Sequence, residues 1–494
     1  MLVDRRAKIV ATIGPATQSP ENLEKAIRAG MNVARLNFSH GTHEDHLKVI
    51  QNIRRLSHEM SAPVTILQDL QGPKVRVGKF KSGSIVVQAG ERVVITMKKI
   101  LGDTGLIPSD FPELAHSVSP GDRILLDDGL LEFKVLGVRD DEVDCEVIYG
   151  GVLKDRKGMN CPGVTLAVEA LTKKDLEDLE FGLVNNVDYV ALSFVRYGKD
   201  IRKLRELIDQ KNPNTKICAK IEMLEAIENL EEIVRLSDVV MVARGDLAVE
   251  IGQSRLPIIQ KQIIHLCNQL NKPVITATQM LDSMVENPRP TRAEITDVAN
   301  AVIDGSDALM LSAESASGKY PFKCIRTMHE IIREVEANQD KYYKINLDNE
   351  FLSVAGAIGA SASLSALKLD AKVIVCLTTT GKTANIIAGY RPKARIIAVT
   401  DNIATLNRLE LIWGLQTLVI KPYNTPEEVV AQVEKLLIEY GLARTGDKVV
   451  FTLGIPIPDG AKTNTQYIFT LGGEGYVRLD DKEIPLRCRV EAVY

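Results

Sequence analysis

Short β-branched runs alternate with helical patterns through roughly the first two thirds of the chain. Eight runs, at 8–13, 32–37, 65–70, 187–194, 216–221, 238–244, 273–278 and 308–313, are almost continuously apolar. Parallel strands covered by helices on both faces carry that signature. Amphipathic patterns lie between them. In the segment 43–60, Leu47, Ile50, Ile53 and Met60 share one face of a helix. Ser19-Pro20 opens another, with Ser as N-cap and Pro at the first helical position. Eight strands with helices between them predict a (β/α)8 barrel.

One gap, between 70 and 187, is too long for a barrel loop. Within it, 85–88, 92–97, 123–126, 131–135 and 143–149 read as strands punctuated by Gly83, Gly90, Gly102, Gly105, Gly121, Gly129 and Gly150. The pattern predicts an all-β domain at 73–156, inserted after the third strand of a barrel formed by 1–72 and 157–341. Such an insertion projects from the C-terminal face of the barrel, where active sites of this fold sit. From 342 to 472 strands at 372–377, 395–400, 416–420, 447–454 and 466–471 and helices at 351–369, 383–390 and 426–440 predict a separate α/β domain. Thr425-Pro426-Glu427-Glu428 is a capping-box start within it. The extension 473–494 reads as a hairpin turning at Asp480-Asp481, of unknown role.

Composition narrows the function. The chain has 494 residues, with 61 Lys and Arg against 65 Asp and Glu and a net charge of -4. That balance gives no electrostatic case for nucleic acid or a membrane surface as the main partner. No apolar run reaches membrane-spanning length, and the first ten residues do not read as a signal peptide. Seven cysteines, widely spaced and without a Cys-x-x-Cys pair, predict a reducing cytoplasm, with the thiols as small core residues.

The polar residues at the strand ends carry the chemistry. They are Thr12, Arg35, Asn37, Asp69, Ser193, Lys220, Glu222, Arg244, Asp246, Thr278 and Glu314. Side chains two apart on a strand face the same way, so Arg35 pairs with Asn37, Lys220 with Glu222 and Arg244 with Asp246. Glu222 and Asp246 offer hard oxygens for Mg²⁺. Arg35 and Lys220 offer fixed positive charge for phosphoryl oxygens. Together they predict metal-assisted chemistry on a phosphorylated anion. His40, His43 and His46 are close in sequence, but they sit on a polar helix start with no partner evident, and a zinc site is not expected.

Five motifs now stand in order: Met31-Asn-Val-Ala-Arg-Leu-Asn-Phe-Ser-His-Gly41, Ala219-Lys-Ile-Glu222, Met241-Val-Ala-Arg-Gly-Asp-Leu247, Ala277-Thr-Gln-Met280 and Asn287-Pro-Arg-Pro-Thr-Arg-Ala-Glu294. With the insertion in its place, the chain resembles the pyruvate kinases up to about residue 472. The resemblance implies transfer of a phosphoryl group from phosphoenolpyruvate to ADP, with Mg²⁺ (or Mn²⁺) as cofactor, and a homotetramer. It implies Arg35, Lys220 and Thr278 as catalytic residues. Ser193, Gly245 and Asp246 join them around the substrate, and Glu222 and Asp246 hold the divalent metal. The nucleotide contacts it implies are Thr12, Pro15, Asn37, Phe38, Ser39, His40, Arg76 and Lys157, with the inserted domain closing over the nucleotide as a lid.

Two departures stand out. Potassium-dependent members resemble this chain at a cage matching Asn37, Ser39, Asp69 and the carbonyl of Leu70, where their segment reads Asp-Thr-Lys-Gly-Pro-Glu. Here it reads Asp69-Leu-Gln-Gly-Pro-Lys74. The Lys74 ammonium in place of the family Glu implies that K⁺ is dispensable. The second concerns regulation. Thr378, Thr379, Thr380, Gly381, Lys382 and Thr383 follow a strand and open a helix, forming a candidate phosphate nest. It resembles the effector site of sugar-phosphate-activated members and implies a phosphorylated allosteric effector. The alternative enzyme reading is a Mg²⁺-dependent lyase or aldolase acting on pyruvate or phosphoenolpyruvate. It would need neither the nucleotide contacts nor the lid. A non-catalytic ligand sensor is the other class, and the intact charged set argues against it.

Overall fold

The computed structural model describes residues 5–164, 169–338, 353–456 and 462–472. Eight parallel strands close into a barrel: Lys8–Ile13, Val33–Asn37, Thr65–Asp69, Tyr189–Leu192, Lys216–Ile221, Val239–Ala243, Val274–Ala277 and Ala308–Leu311. The last pairs with the first in the register Lys8↔Ala308, which completes the ring. Every apolar run of the sequence reading holds one strand, often trimmed at its ends. The trimming matters at two places. Arg244 and Ala313 are first residues of helices Arg244–Ile251 and Ala313–Ala316, not last residues of strands. The expected same-side pairing of Arg244 with Asp246 is therefore wrong, because residues two apart on a helix point in different directions.

Val10, Val33, Leu67, Met241, Ile275 and Met310 fill the barrel interior, and Leu411 from the C-terminal domain packs with them. Other contacts surround that plug at the strand starts. Lys8 Nζ donates to the Leu415 carbonyl at 2.7 Å and pairs with Glu410 at 3.4 Å. Tyr189 OH donates to the Arg408 carbonyl at 3.0 Å, and Gly414 N–H to the Arg6 carbonyl at 2.8 Å. Thr65 also donates to the Asn407 carbonyl. The N-terminal end of the barrel is thus stoppered by protein, and chemistry is left to the other mouth.

The insertion is all-β apart from the short helix Leu114–Ser117. Its main sheet orders Met159–Asn160, Arg123–Leu126, Leu131–Arg139, Glu142–Tyr149, Arg92–Thr96 and Leu106–Pro108, and Ser84–Val87 pairs with Gly151–Lys154. Leu106–Pro108, Gly151–Lys154 and Met159–Asn160 escaped the sequence reading, being too short to show a period. The two connections to the barrel run alongside each other. Val77 N–H donates to the Lys157 carbonyl and Met159 N–H to the Val75 carbonyl, both at 2.9 Å. That pairing brings Lys74, Arg76 and Lys157 to one root.

The C-terminal sheet orders Leu415–Val419, Arg395–Thr400, Val373–Leu377, Lys448–Leu453 and Thr465–Thr470, parallel except for the last. Helices Val354–Leu369, Lys382–Gly389 and Pro426–Glu439 match expectation, while Ile403–Leu409 went unread. The extension 473–494 lies outside the described residues. Six cysteines are described, all buried and free. No described helix is long and apolar enough to cross a membrane.

Leu411 is fully buried. Truncation to Ala opens a cavity under the barrel and costs about 2–5 kcal/mol. The expected outcome is a lowered melting temperature by calorimetry with the active-site mouth unaltered.

Candidate active site

Asp69, at the end of the third barrel strand, is the centre of the mouth. Its side chain is 1% exposed and meets Arg35 Nη2 at 2.7 Å and Lys220 Nζ at 3.2 Å. Burial pushes the Asp69 carboxyl up, but Lys220 and Arg35 outweigh it and hold it below the usual carboxylate range. Lys220 Nζ also meets Glu222 Oε1 at 3.1 Å and donates to Ser193 Oγ at 2.7 Å. Burial lowers the Lys220 ammonium, and Asp69 and Glu222 more than reverse that, so it stays charged. Ser193 is held in turn by the Leu70 carbonyl, 2.8 Å from its hydroxyl. Arg35 Nη1 donates to Thr12 Oγ1 at 2.9 Å, and Thr12 donates to the Leu311 carbonyl at 2.8 Å. Strand periodicity put Lys220 and Glu222 on one side, and they are in contact.

Glu222 and Asp246 are the carboxylates available to a divalent cation. Burial pushes the Glu222 carboxyl up, Lys220 draws it down and Asp246 pushes it up again, leaving it above its ordinary value. Two crowded carboxylates of this kind fit Mg²⁺, which takes one or two protein carboxylates and fills its octahedron with substrate and water oxygens. Among the described residues no group of three or more His, Cys, Asp or Glu could hold a metal. The histidines are engaged otherwise, against the expectation that they lack partners. His43 Nε2 lies 2.7 Å from Asp178, and His46 Nε2 lies 2.9 Å from the His40 carbonyl.

A strained turn lies beside Gly245. Thr278 and Gln279 have φ of 71° and 52°, a left-handed conformation that a β-branched residue adopts only under constraint. Arg244 supplies the constraint. Its Nη2 donates to the Thr278 carbonyl at 2.6 Å and its Nε to the Ala277 carbonyl at 3.1 Å, while Asp297 anchors Nη1 at 2.8 Å. Arg244 therefore braces the turn from behind and does not point into the mouth with Asp246. Gly245 N–H donates to Thr278 Oγ1 at 2.9 Å, at a helix start with no side-chain cap. Glu314, expected at the mouth, is 1% exposed and accepts from the N–H groups of Leu281 and Ser312 at 3.2 and 2.6 Å. It is a structural carboxyl on the helix after the eighth strand, because that strand ends two residues earlier than its apolar run suggested.

Asn37 ends the second strand, and Ser39 and His40 lie in the loop after it. Asn37 Oδ1 accepts from Ser39 N–H at 3.1 Å. Phe38 turns inward, stacking on His46 with ring centroids 4.0 Å apart. Its N–H donates to the Asp69 carbonyl at 3.0 Å and its carbonyl accepts from Lys174 at 2.7 Å. Phe38 braces this loop through both of its backbone groups. Pro15 is exposed beyond the first strand. Lys157 pairs with Asp127 at 2.8 Å, and Arg76 Nη1 donates to the Arg156 carbonyl at 3.1 Å. Lys74 points into the mouth, 3.0 Å from Asp246 Oδ1 and 3.8 Å from Asp128. Asp127, Asp128 and Asp297 were missed, although Asp127-Asp128-Gly129 carries a plain turn signal.

In the C-terminal domain, the loop 378–383 lies at the C-terminal ends of the strands. Gly381 has φ 84°, and a Cβ there would meet Leu409 at 2.6 Å. Its N–H donates to Thr378 Oγ1 at 2.9 Å, and the Thr379 carbonyl accepts from Thr405 at 2.8 Å. Lys382 is exposed at the start of an uncapped helix, and Thr383 bonds to Thr463. Residues 457–461, between the last two strands of the sheet, lie outside the described residues.

Comparison with known proteins gives this geometry a family. Residues 4–325 match the pyruvate kinase barrel domain and residues 356–469 the pyruvate kinase alpha/beta domain. The chain belongs to the pyruvate kinase family. Pyruvate kinases of Staphylococcus aureus strains MRSA252 and USA300 are 44% and 43% identical to it over 475 residues, 95% of this chain and 81% of theirs. The crystal structure of a pyruvate kinase from Cryptosporidium parvum matches with a TM-score of 0.88 at 37% identity, over 94% of this chain and 96% of that one. As a pyruvate kinase, the protein is a phosphotransferase of glycolysis.

Asp69→Asn removes the charge that Arg35 and Lys220 share while keeping the side chain's size. The expected loss in kcat/KM for phosphoenolpyruvate is about 10²-fold, the scale of losing one preorganised charged contact. Steady-state kinetics on a variant with an unchanged circular dichroism spectrum checks it.

Proposed function

We propose that phosphoenolpyruvate and ADP meet at the C-terminal mouth of the barrel, and that Arg35 and Lys220 hold the phosphoryl group between them. The observation that supports this most directly is the buried Asp69, which holds both cations on its two carboxylate oxygens. Phosphoryl transfer needs in-line positioning and charge neutralisation more than covalent help. Lys220 remains an ammonium throughout and meets the charge that develops on the transferring group. Glu222 and Asp246 would hold Mg²⁺ (or Mn²⁺), which when bound adds further charge neutralisation at the phosphoryl oxygens. The Asp246 amide and Thr278, whose hydroxyl the Gly245 N–H orients, seat the enolpyruvate carboxylate beside the route by which the enolate gains its proton. Ser193 orients Lys220. Asn37, Ser39, His40, Arg76 and Lys157 contact the nucleotide phosphates, and 73–156 acts as a lid that excludes water.

The cage oxygens support independence from K⁺. Asp69 is engaged by Arg35 and Lys220, Asn37 by Ser39 and the Leu70 carbonyl by Ser193. Lys74 brings fixed positive charge to the same mouth, at Asp246. A phosphorylated effector fits 378–383, where a left-handed glycine, the exposed Thr379 and Thr380 and Lys382 surround an uncapped helix start. A homotetramer and a cytoplasmic setting complete the reading.

Lys220→Met should lower kcat about 10²–10³-fold while phosphoenolpyruvate still binds by calorimetric titration; near-normal turnover would refute the role of Lys220. In a coupled ATP-forming assay, rates in Na⁺, in K⁺ and in neither should agree, and strong activation by K⁺ would overturn the role of Lys74. Activation by a panel of sugar phosphates and nucleotides should vanish in Lys382→Glu, and unchanged activation would remove the effector site.

A further inference from the structure

We propose that the hydrogen bond from Asn160 to Glu250 is a latch that seats the inserted domain on the helix carrying Asp246, and that Glu250 is thereby a positioning residue for the nucleotide. Asn160 ends the two-residue strand by which the chain leaves the insertion. Its Nδ2 donates to Glu250 Oε1 at 3.1 Å, and the two residues are 9% and 8% exposed. Glu250 stands one turn after Asp246 on Arg244–Ile251, so the two share a face of that helix.

Two more points of the insertion rest on the same helix. Lys74, in the connection that enters the insertion, pairs with Asp246 at 3.0 Å. The turn at Gly129 lies over Val249, whose Cγ2 is 3.9 Å from the place a Cβ would take. Asp127, Asp128 and Gly129 in that turn have φ of 52°, 54° and 85°. Asp128 and Gly129 are the central residues of a hairpin turn closed by the Leu130 N–H on the Asp127 carbonyl at 3.1 Å, a conformation that Asp-Gly favours. Here Asp127 holds Lys157 at 2.8 Å and Asp128 lies 3.8 Å from Lys74. The lid base therefore has one seat.

A carboxyl is an expensive group for that seat. Burial pushes Glu250 up to about 7. The Asn160 bond draws it down, Glu225 and Asp246 push it up, and Arg196 draws it down. An apolar side chain would fill the space without that cost, but it would leave the Asn160 amide without its acceptor. The pairing makes sense as a means of fixing how the lid sits.

The consequence separates the two substrates. Arg35, Lys220 and Thr278 all come from the barrel, whereas Arg76 and Lys157 stand at the lid root. This inference rests on the reading of the insertion as a nucleotide lid. Asn160→Leu and Glu250→Leu should each raise KM for ADP about tenfold, the effect of stranding a buried polar partner. KM for phosphoenolpyruvate should stay within about twofold. Glu250→Gln, which keeps an acceptor for Asn160, should restore the parental KM for ADP, and the double Leu variant should be no worse than either single one. Equal rises in both KM values, or no rise in either, would overturn the latch. Melting curves identify any variant that fails to fold, and Asn160→Ala then carries the same comparison. Lys220→Met separates the failures. Turnover surviving that change defeats the catalytic reading, while an inactive Lys220→Met beside latch variants with parental KM for ADP defeats the latch alone.

Discussion

Everything at the mouth depends on one buried carboxylate. Arg35 and Lys220 would repel each other if left alone in so enclosed a place. Asp69 lies between them and is charged because they are there. Each of the three makes the burial of the others tolerable, since a charge is cheap to bury only when paired. The remaining contacts orient this triad. Thr12 steadies Arg35, Ser193 steadies Lys220, and Glu222 closes the far side of the ammonium. The cations are thus fixed before any substrate arrives, which is the condition under which electrostatic stabilisation is strongest.

The fold makes that arrangement affordable by dividing labour between the two ends of the barrel. At one end Leu411, with Lys8 and Glu410 around it, plugs the opening and adds packing. At the other end the strands stop early and irregular backbone takes over. The left-handed Thr278 is held there by Arg244, itself tied to Asp297. Strain at a site needs rigid support, and here a part-buried guanidinium supplies it. The inserted domain meets the same region from above, through paired connections that gather Lys74, Arg76 and Lys157 at its root.

Much of this was legible in the chain itself. Apolar runs located all eight barrel strands, and period-two spacing put Lys220 and Glu222 side by side. The gap between the third and fourth runs announced the insertion. Reading failed where strand gave way to helix within a run. There the backbone turns through a helix start, and side chains two apart no longer share a face, as Arg244 and Asp246 show. The inward turn of Phe38 was illegible for a related reason: a loop residue with an aromatic side chain can face either way, and only its packing against His46 shows which.

Sequence alone therefore determined the order of elements, the resemblance to the pyruvate kinases and the charged set at the strand ends, because hydrophobic periodicity and motif spacing are local properties. Tertiary structure decided which charges meet. Asp69 reaches Lys220 across 151 positions and Asp246 reaches Lys74 across 172, distances along the chain at which no pattern of spacing carries information. Closure of the barrel brings the first pair together, and the seating of the insertion brings the second. The helix start after the eighth strand makes Glu314 a structural carboxyl, and the seating of the insertion sets Asn160 against Glu250, because long-range contacts belong to the packed fold and not to any segment of it.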